Sequence, residues 1–293
     1  MTPGIAQQTM LPDPSFNQAW DAIKIADQVR KRLVNQALLG LSIRPKVAFE
    51  VAPLHGLIVL AGPPGTGKTT LARGLASQVA AALPGQRVVF IQVDPHALAS
   101  ASLGKSQQAA TKLFDQTIPE AAQGGCGVVL LDEVETLAAD RQRMSLEANP
   151  VDVHRATDAV LAGVDLLTRK HRNVLLIATT NYPQAVDPAF MSRADLIEMI
   201  PPPNAEARAE IIRDTLMGLA KSWPGVGGLV SHVNAFAAAS DGLDGRRLRK
   251  AVVGAAALEL ETAKDPGKMN AQQVLASLQQ AKRNAKEAGR EAA

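Results

Sequence analysis

The sequence predicts an α/β fold, in which a parallel sheet of five strands with flanking helices is followed by a smaller helical domain. Three observations predict it. Short apolar runs alternate with helical stretches, a glycine-rich loop directly follows the first run, and three consecutive prolines follow the last run. A chain of 293 residues with 46% hydrophobic content is long enough to bury two such cores.

The first fifty residues predict a helical extension before the sheet begins. Pro12 and Pro14 lie in a proline-rich start that we expect to be flexible. Apolar residues then recur at helical spacing among charges, from Trp20 to Leu38. We therefore assign residues 1–50 to an N-terminal helical extension.

Five apolar runs predict the strands, at residues 57–61, 88–93, 128–132, 174–179 and 196–200. Each is nearly continuous in apolar residues, which is typical of strands buried on both faces, and helical stretches separate them. We assign residues 51–203 to a large α/β domain.

The prolines at positions 201–203 can continue neither strand nor helix. Helices are predicted after them at residues 206–221 and 246–263, and the Gln/Lys/Glu/Ala-rich stretch from Ser277 predicts a solvated or fraying helix. Residues 204–293 are therefore expected to form a small helical lid domain with a charged tail.

Composition excludes several classes of protein. The net charge of +3 is low for a protein that coats nucleic acid, so nucleic acid is an unlikely partner. Cys126 is the single cysteine, and no His/Cys cluster has the spacing of a metal site. Neither a span of about 18 apolar residues nor a secretory leader is evident, so we expect no membrane association and a cytoplasmic location.

The most specific motif is a phosphate-binding loop of the form G-x-x-x-x-G-K-[ST], placed between a strand and a helix. Its glycines let backbone amides point at phosphates, and the following helix, which includes Thr70, offers its positive N-terminal end. Lys68 is expected to reach the β and γ phosphates of ATP, and Thr69 to place a hydroxyl on Mg²⁺. The loop residues are Gly62, Pro63, Pro64, Gly65, Thr66, Gly67, Lys68 and Thr69.

Two adjacent carboxylates follow the third apolar run, at the sheet edge where α/β proteins bind ligands. Asp132 is expected to hold magnesium through water, and Glu133 to polarise the water that attacks the γ phosphate. Glu135, two residues later, reads as a solvated charge.

The later strand ends supply two further candidates. Asn181 follows the fourth run, where its amide would orient the attacking water or sense the γ phosphate. Arg193 precedes the last run and is expected at the rim of the sheet, far from its own nucleotide but within reach of a neighbour's. That position predicts a ring in which each subunit completes the active site of the next.

A basic cluster opens the second predicted helix of the lid. Arg246 is the residue that we expect to fold onto the nucleotide and to couple the lid angle to hydrolysis. Arg247, Arg249 and Lys250 read as a solvated face or a nucleic-acid patch.

The segments GPPGTGKTTLARGLA, VVLLDEVETLAADR, NPVDVHRATDAVLAGVD, AFMSRADLIEMIPPP and GLDGRRLRKAV resemble AAA+ remodellers of HORMA-domain proteins, the pachytene-checkpoint and thyroid-receptor-interactor family. The resemblance covers residues 17–260. It implies that Lys68 and Thr69 bind nucleotide, that Asp132 and Glu133 form the Walker B pair, and that Asn181 is sensor 1.

The same resemblance makes Arg193 the trans-acting finger and Arg246 sensor 2. It also implies a homohexamer that engages HORMA proteins at its central pore and converts closed conformers to open ones. Short bacterial relatives accompany HORMA proteins and cyclic-oligonucleotide synthases (CD-NTases) in antiphage signalling (CBASS). There the ATPase resets the HORMA activator and switches off the signal. Because few residues precede the phosphate-binding domain, direct engagement without an adaptor is expected.

The pore loop departs from the resemblance. Relatives place aromatic residues there, whereas the stretch from Ser100 to Lys105 offers small side chains and one larger apolar residue, with Ser102 and Leu103 as the expected substrate contacts. Small side chains give little contact area. We therefore expect limited remodelling of a labile segment and no processive unfolding of stable domains.

Two other functions remain open at this point. An AAA+ protein that loads or opens DNA would use a basic pore and the lid cluster, although low excess charge and few aromatic residues count against it. A scaffold that binds ATP without turnover would have no chemical need for Glu133 and Arg193.

Overall fold

The structure, a computed structural model, describes residues 4–95, 105–140 and 150–291. These residues form two compact units. The first comprises the described residues up to 62 and from 68 to 200, and the second comprises residues 63–67 and the described residues from 201 onward.

The first unit is built on a six-stranded sheet with the strand order β1-β3-β4-β5-β2-β6. Five strands are parallel, which confirms the α/β class, and β1 is antiparallel to β3. The strands are β1 (Ile5–Leu11), β2 (Leu57–Ala61), β3 (Val88–Val93), β4 (Cys126–Leu131), β5 (Val174–Thr180) and β6 (Leu196–Met199).

Helices cover both faces of this sheet. They are α1 (Pro14–Ala22), α2 (Asp27–Ile43), α3 (Lys68–Ala82), α4 (Lys105–Lys112), α5 (Ile118–Ala121), α6 (Pro150–Lys170) and α7 (Pro188–Met191). The strands alternate between two cores: Leu57 and Val59 belong to one, Ile58 and Leu60 to the other. This double burial explains why the strands are continuous apolar runs.

The chain start differs from the sequence-based expectation. A flexible segment was predicted, but Ile5–Leu11 forms an edge strand that pairs with Val88–Val93. Residues 1–50 are therefore helical only after this strand. Helix α1 then packs on α3, where Gly74 leaves room for the backbone of Trp20.

The second unit is helical. Its helices are α8 (Ala205–Ala220), α9 (Val233–Ala239), α10 (Gly245–Gly254), α11 (Leu260–Lys264) and α12 (Ala271–Glu291). They enclose a core that includes Ile212, Phe236, Leu248 and Leu278. Asn204 caps α8 by accepting a hydrogen bond from the backbone N–H of Ala207 at 2.9 Å.

One helix prediction in this unit is wrong. A single helix was expected over residues 246–263, but α10 ends at Gly254, a 3₁₀ turn follows over Ala255–Leu258, and α11 begins at Leu260. Glu259 has extended backbone angles, which interrupt the helix. Among the described helices, none combines the length and apolarity needed to cross a membrane.

Candidate active site

The glycine-rich loop lies between β2 and α3, as its sequence context predicts. Gly62, Gly65 and Gly67 all have positive φ angles, a conformation that side chains with a Cβ rarely adopt. At Gly62, a Cβ would also lie 2.3 Å from the backbone oxygen of Ile200. The hydroxyl of Thr66 donates to the backbone oxygen of Pro63 at 3.0 Å, which closes the turn.

The first turn of α3 meets the end of β4. Thr69 Oγ1 donates to Asp132 Oδ1 at 2.8 Å, so the two predicted magnesium ligands are adjacent. Hydroxyl and carboxylate oxygens are the donors that Mg²⁺ prefers, and Mg²⁺ keeps several waters besides one or two protein ligands. The pair therefore fits a magnesium ion, even though no group of three or more His, Cys, Asp or Glu side chains in the described part of the chain could hold a metal.

Glu133 follows Asp132 in a strained backbone conformation. Its φ and ψ are 51° and 54°, which places a non-glycine residue in the left-handed region. The side chain is exposed, whereas the backbone N–H donates to Thr179 Oγ1 at 3.1 Å. Strain of this kind persists only where surrounding contacts hold it, and such residues cluster at active sites.

The predicted sensor lies beside the predicted phosphate-binding lysine. The ammonium group of buried Lys68 donates to Asn181 Oδ1 at 2.8 Å and to the backbone oxygen of Gly62 at 2.7 Å. The side chain of Lys68 therefore connects Gly62, which follows β2, to Asn181, which follows β5.

The expectation that Glu135 is solvated is wrong. Its Oε1 accepts a hydrogen bond from the backbone N–H of Asn181 at 3.1 Å, and its Oε2 is buried. Glu135 thus links the segment after β4 to the residue that follows β5. The sequence around it reads as a polar turn, and the partner is 46 positions away, so local pattern carried no signal for this contact.

Arg193 lies at the opposite end of the strands from Lys68 and Asn181, because it precedes β6 at the amino edge of the parallel sheet. Its guanidinium donates to both carboxylate oxygens of Asp165 at 2.8 Å and to the backbone oxygen of Ala189 at 2.6 Å. The hydrogen bond from Arg193 holds the pKa of Asp165 below its usual range, and the pKa of Arg193 is raised.

A cavity of about 310 Å³ adjoins this ion pair, with Phe49, His55 and Thr168 among its lining residues. Burial lowers the pKa of His55, which keeps its imidazole neutral near neutral pH. The carboxylate of Asp195 nearby accepts the backbone N–H groups of His55, Gly56 and Leu57 at 2.8, 2.6 and 3.2 Å. Asp195 therefore fixes the start of the strand that ends at the phosphate-binding loop.

Arg246 lies in the second unit, in the first turn of α10, and its side chain is exposed. Asp244 caps this helix by accepting from the backbone N–H of Arg247 at 2.9 Å. Arg249, which was expected to be solvated, is partly buried and donates to Thr215 Oγ1 at 3.4 Å. The role of Arg246 as sensor 2 stays a prediction.

The remaining predicted site residues divide between the phosphate loop and the pore loop. Pro63 and Pro64 are exposed within the phosphate loop, and Thr70 lies in the first turn of α3. Ser102 and Leu103 fall outside the described residues, so their role as substrate contacts also stays a prediction.

Comparisons with known proteins give the family of this chain. The family described as ATPase family associated with various cellular activities (AAA) matches residues 58–202. CD-NTase-associated protein 6 of Pseudomonas aeruginosa is 47% identical over 290 residues, which cover 98% of this chain and 95% of that protein. Putative pachytene checkpoint protein 2 of Caenorhabditis elegans is 31% identical over 74% of this chain, which spans about half of that longer protein (52%).

A solved structure supports the fold independently. A chain of the HORMA:CdnC:Trip13 complex of E. coli MS115-1 matches with a TM-score of 0.73 and 20% sequence identity. The match covers 94% of both chains.

Proposed function

This chain belongs to the AAA family of ATPases and is related to the pachytene-checkpoint proteins, and from that premise we propose that it opens closed HORMA-domain proteins. The energy comes from ATP hydrolysis. The remodelling switches off a bacterial antiphage signalling system of the CBASS type, in the cytoplasm.

The observation that carries the ATPase chemistry is the convergence of three strand ends. Thr69 contacts Asp132 and Lys68 contacts Asn181, each at 2.8 Å, so the phosphate loop, the acidic pair and the sensor share one edge of the sheet. A nucleotide bound at this edge meets the amides of the loop and the positive end of α3, which both favour phosphate.

Hydrolysis follows from these positions. Glu133 accepts a proton from a water molecule as the water oxygen attacks the γ-phosphorus, and the bond from that phosphorus to the bridging oxygen of ADP breaks. Lys68 binds the β and γ phosphates, and Asn181 orients the water. Thr69 and Asp132 are suited to hold magnesium, which when bound neutralises phosphate charge.

Arg193 supports a homohexameric ring. A five-residue strand such as β2 is about 17 Å long, so an arginine before β6 is far from the phosphate site of its own subunit. We propose that Arg193 completes the phosphate site of the neighbouring subunit, and that Arg246 reports the nucleotide state to the lid. Arg193 must then exchange part of its bonding to Asp165 for phosphate oxygens.

The choice of substrate rests on relatives. One is named as a CD-NTase-associated protein, and the E. coli complex pairs Trip13 with HORMA and CdnC chains. We therefore propose a HORMA-domain protein as substrate, alone or bound to a CD-NTase. Ser102 and Leu103 would contact it in the pore, and remodelling would be confined to a labile segment.

The experiment compares wild type with Glu133→Gln and with the exposed-residue control Glu120→Gln. We expect Glu133→Gln to lower the ATPase rate by about 10²-fold or more, as is typical when a general base is lost, and Glu120→Gln to leave it unchanged. With ATP, Glu133→Gln should form a stable complex with a purified bacterial HORMA-domain protein. Full turnover by Glu133→Gln would refute the hydrolytic site, and selective capture of single-stranded DNA would favour the DNA-loading alternative.

A further inference from the structure

The hydroxyl of Thr179 lies at the junction of the two acidic residues. Thr179 is on β5, is 1% exposed, and donates a short hydrogen bond to Asp132 Oδ1. The hydroxyl oxygen of Thr179 also accepts a hydrogen bond from the backbone N–H of Glu133, at 3.1 Å. We propose that Thr179 is a positioning residue for ATP hydrolysis, whose hydroxyl holds Glu133 in the orientation that activates water. The inference rests on the proposed roles of Asp132 and Glu133.

Glu133 requires such support because its backbone is strained. A left-handed conformation is unfavourable for a residue with a Cβ relative to the right-handed region. Three hydrogen bonds hold this peptide: the one to Thr179, and two at 2.9 Å from the backbone N–H and the hydroxyl of Thr136 to the Glu133 carbonyl. In the first of these Thr179 Oγ1 accepts from Glu133, whereas in the other two Glu133 is the acceptor, so loss of the Thr179 hydroxyl removes the acceptor of the Glu133 N–H.

The strain sets the direction of the Glu133 side chain. A residue that continued the extended path of β4 would project its Cβ in the alternating direction of the strand, whereas the left-handed turn points it elsewhere. Relaxation of this peptide would therefore move the carboxylate. A misplacement of about 1 Å at a reacting group costs about 10²-fold in rate.

Asp132 gives the hydroxyl a second function. Asp132 Oδ1 accepts from Thr69 on α3 and from Thr179 on β5, so one carboxylate oxygen joins the phosphate loop helix to the sensor strand. Thr179 therefore orients the acidic pair from the β5 side while Thr69 orients it from the nucleotide side. A threonine that served only to fill the core would need neither contact.

The adjacent residue provides a matched control. Thr180 is also fully buried on β5, but its hydroxyl accepts from the backbone N–H of Tyr182 at 3.1 Å and contacts neither acid in the described structure. Thr179→Val and Thr180→Val each replace a buried hydroxyl by a methyl group on the same strand. They differ in whether the hydroxyl holds Glu133.

The experiment measures ATPase kinetics and binding of a fluorescent ATP analogue for full-length Thr179→Val, Thr179→Ser and Thr180→Val. We expect Thr179→Val to lower kcat by about 10- to 100-fold while ATP affinity changes by less than about threefold, since the loss falls on the chemical step. Thr179→Ser and Thr180→Val should stay within about threefold of wild type in kcat, because each keeps the hydroxyl that holds Glu133.

A double-mutant cycle separates positioning from folding. If Thr179 acts through Glu133, Thr179→Val should reduce the residual rate of Glu133→Gln by less than about twofold, because residues that act as a unit are not additive. An equal loss in both backgrounds, a wild-type kcat in Thr179→Val, or a Thr179→Ser as slow as Thr179→Val would overturn the inference. Full activity of Glu133→Gln alone would instead overturn the proposed function.

Discussion

Replacing Asp195 should destabilise the first unit, because one carboxylate accepts three backbone N–H groups at the start of β2. Gly56 and Leu57, two of the three donors, are buried, and the third donor, His55, is partly buried. In Asp195→Ala all three groups lose their acceptor.

The magnitude follows from the burial. A hydrogen bond to a charged group contributes about 1.5–3 kcal/mol to stability. The sum over three such bonds overestimates the loss, because Asp195 is half-buried and water can take over some of its hydrogen bonds to the backbone N–H groups. We take about 3 kcal/mol for Asp195→Ala. At about 2–4 °C per kcal/mol for a domain of 150–250 residues, the melting temperature should fall by about 6–12 °C.

Asp195→Asn should fall between Asp195→Ala and wild type. Its side-chain oxygen can still accept from Gly56 and Leu57, while its amide N–H₂ then faces the N–H of His55, where a donor meets a donor. The loss should be about half of that for Asp195→Ala.

The assay is scanning calorimetry without nucleotide, because nucleotide bound to the folded state would raise the melting temperature by mass action. Asp21→Ala, which removes an exposed carboxylate from α1, is the control and should melt within about 1 °C of wild type. If Asp195→Ala melted within about 2 °C of wild type, the three hydrogen bonds would not stabilise β2 and the reasoning would be refuted.

Three other substitutions test separate contacts. Arg32→Met should lower the stability measured by urea unfolding, because it leaves the buried Glu198 carboxylate without its bidentate partner, and adding Glu198→Leu should recover most of that loss; a single variant as stable as wild type would contradict this. Gly74→Ala should lower stability by about 1–3 kcal/mol in the same assay, since its Cβ would lie 2.6 Å from the Cα of Trp20. Asp165→Asn should have a lower melting temperature than wild type at pH 7, but the difference should vanish in acid. The pKa of Asp165 is lowered in the folded state, so its stabilising effect is present above the unfolded-state pKa of about 4 and is lost as the pH falls through the folded-state pKa. A difference that persisted at pH 2 would exclude this ion pair as its source.

The fold could largely be predicted because its strong signals are local. Strands buried on both faces read as continuous apolar runs, and β2 and β3 have the predicted bounds. The edge strand Ile5–Leu11 was missed because it contains Gln7, Gln8 and Thr9 and precedes two prolines, so only its pairing with distant β3 defines it.

In the candidate site, too, the residues with local sequence signals could be predicted and those defined by long-range contacts could not. The loop and the acidic pair are contiguous motifs, and Asn181 follows from its place at a strand end. Glu135, Asp165 and Thr179 could not be found in this way, because each acts through a residue 28 to 47 positions away. Thr179 left one weak signal, since it is one of two threonines that end an otherwise apolar strand, but that signal is equally typical of a threonine that only packs.

The contacts at the carboxyl edge imply that the sensor strand is the element through which the acidic pair and the phosphate loop can influence each other. Two residues at the end of this strand make the contacts: Thr179, within β5, bonds to Asp132 and Glu133, and Asn181, which follows β5, bonds to Lys68 through its side chain and to Glu135 through its backbone. In the function proposed above, phosphate oxygens that draw the ammonium of Lys68 away release Asn181 while Thr179 and Glu135 still hold the strand to the segment after β4. When γ phosphate is present, the side-chain amide of Asn181 is then available to a water molecule. In an ADP-bound site no γ phosphate competes for Lys68, so Asn181 stays hydrogen-bonded to Lys68. This exchange requires Asn181→Ala to impair hydrolysis more than it impairs ATP binding.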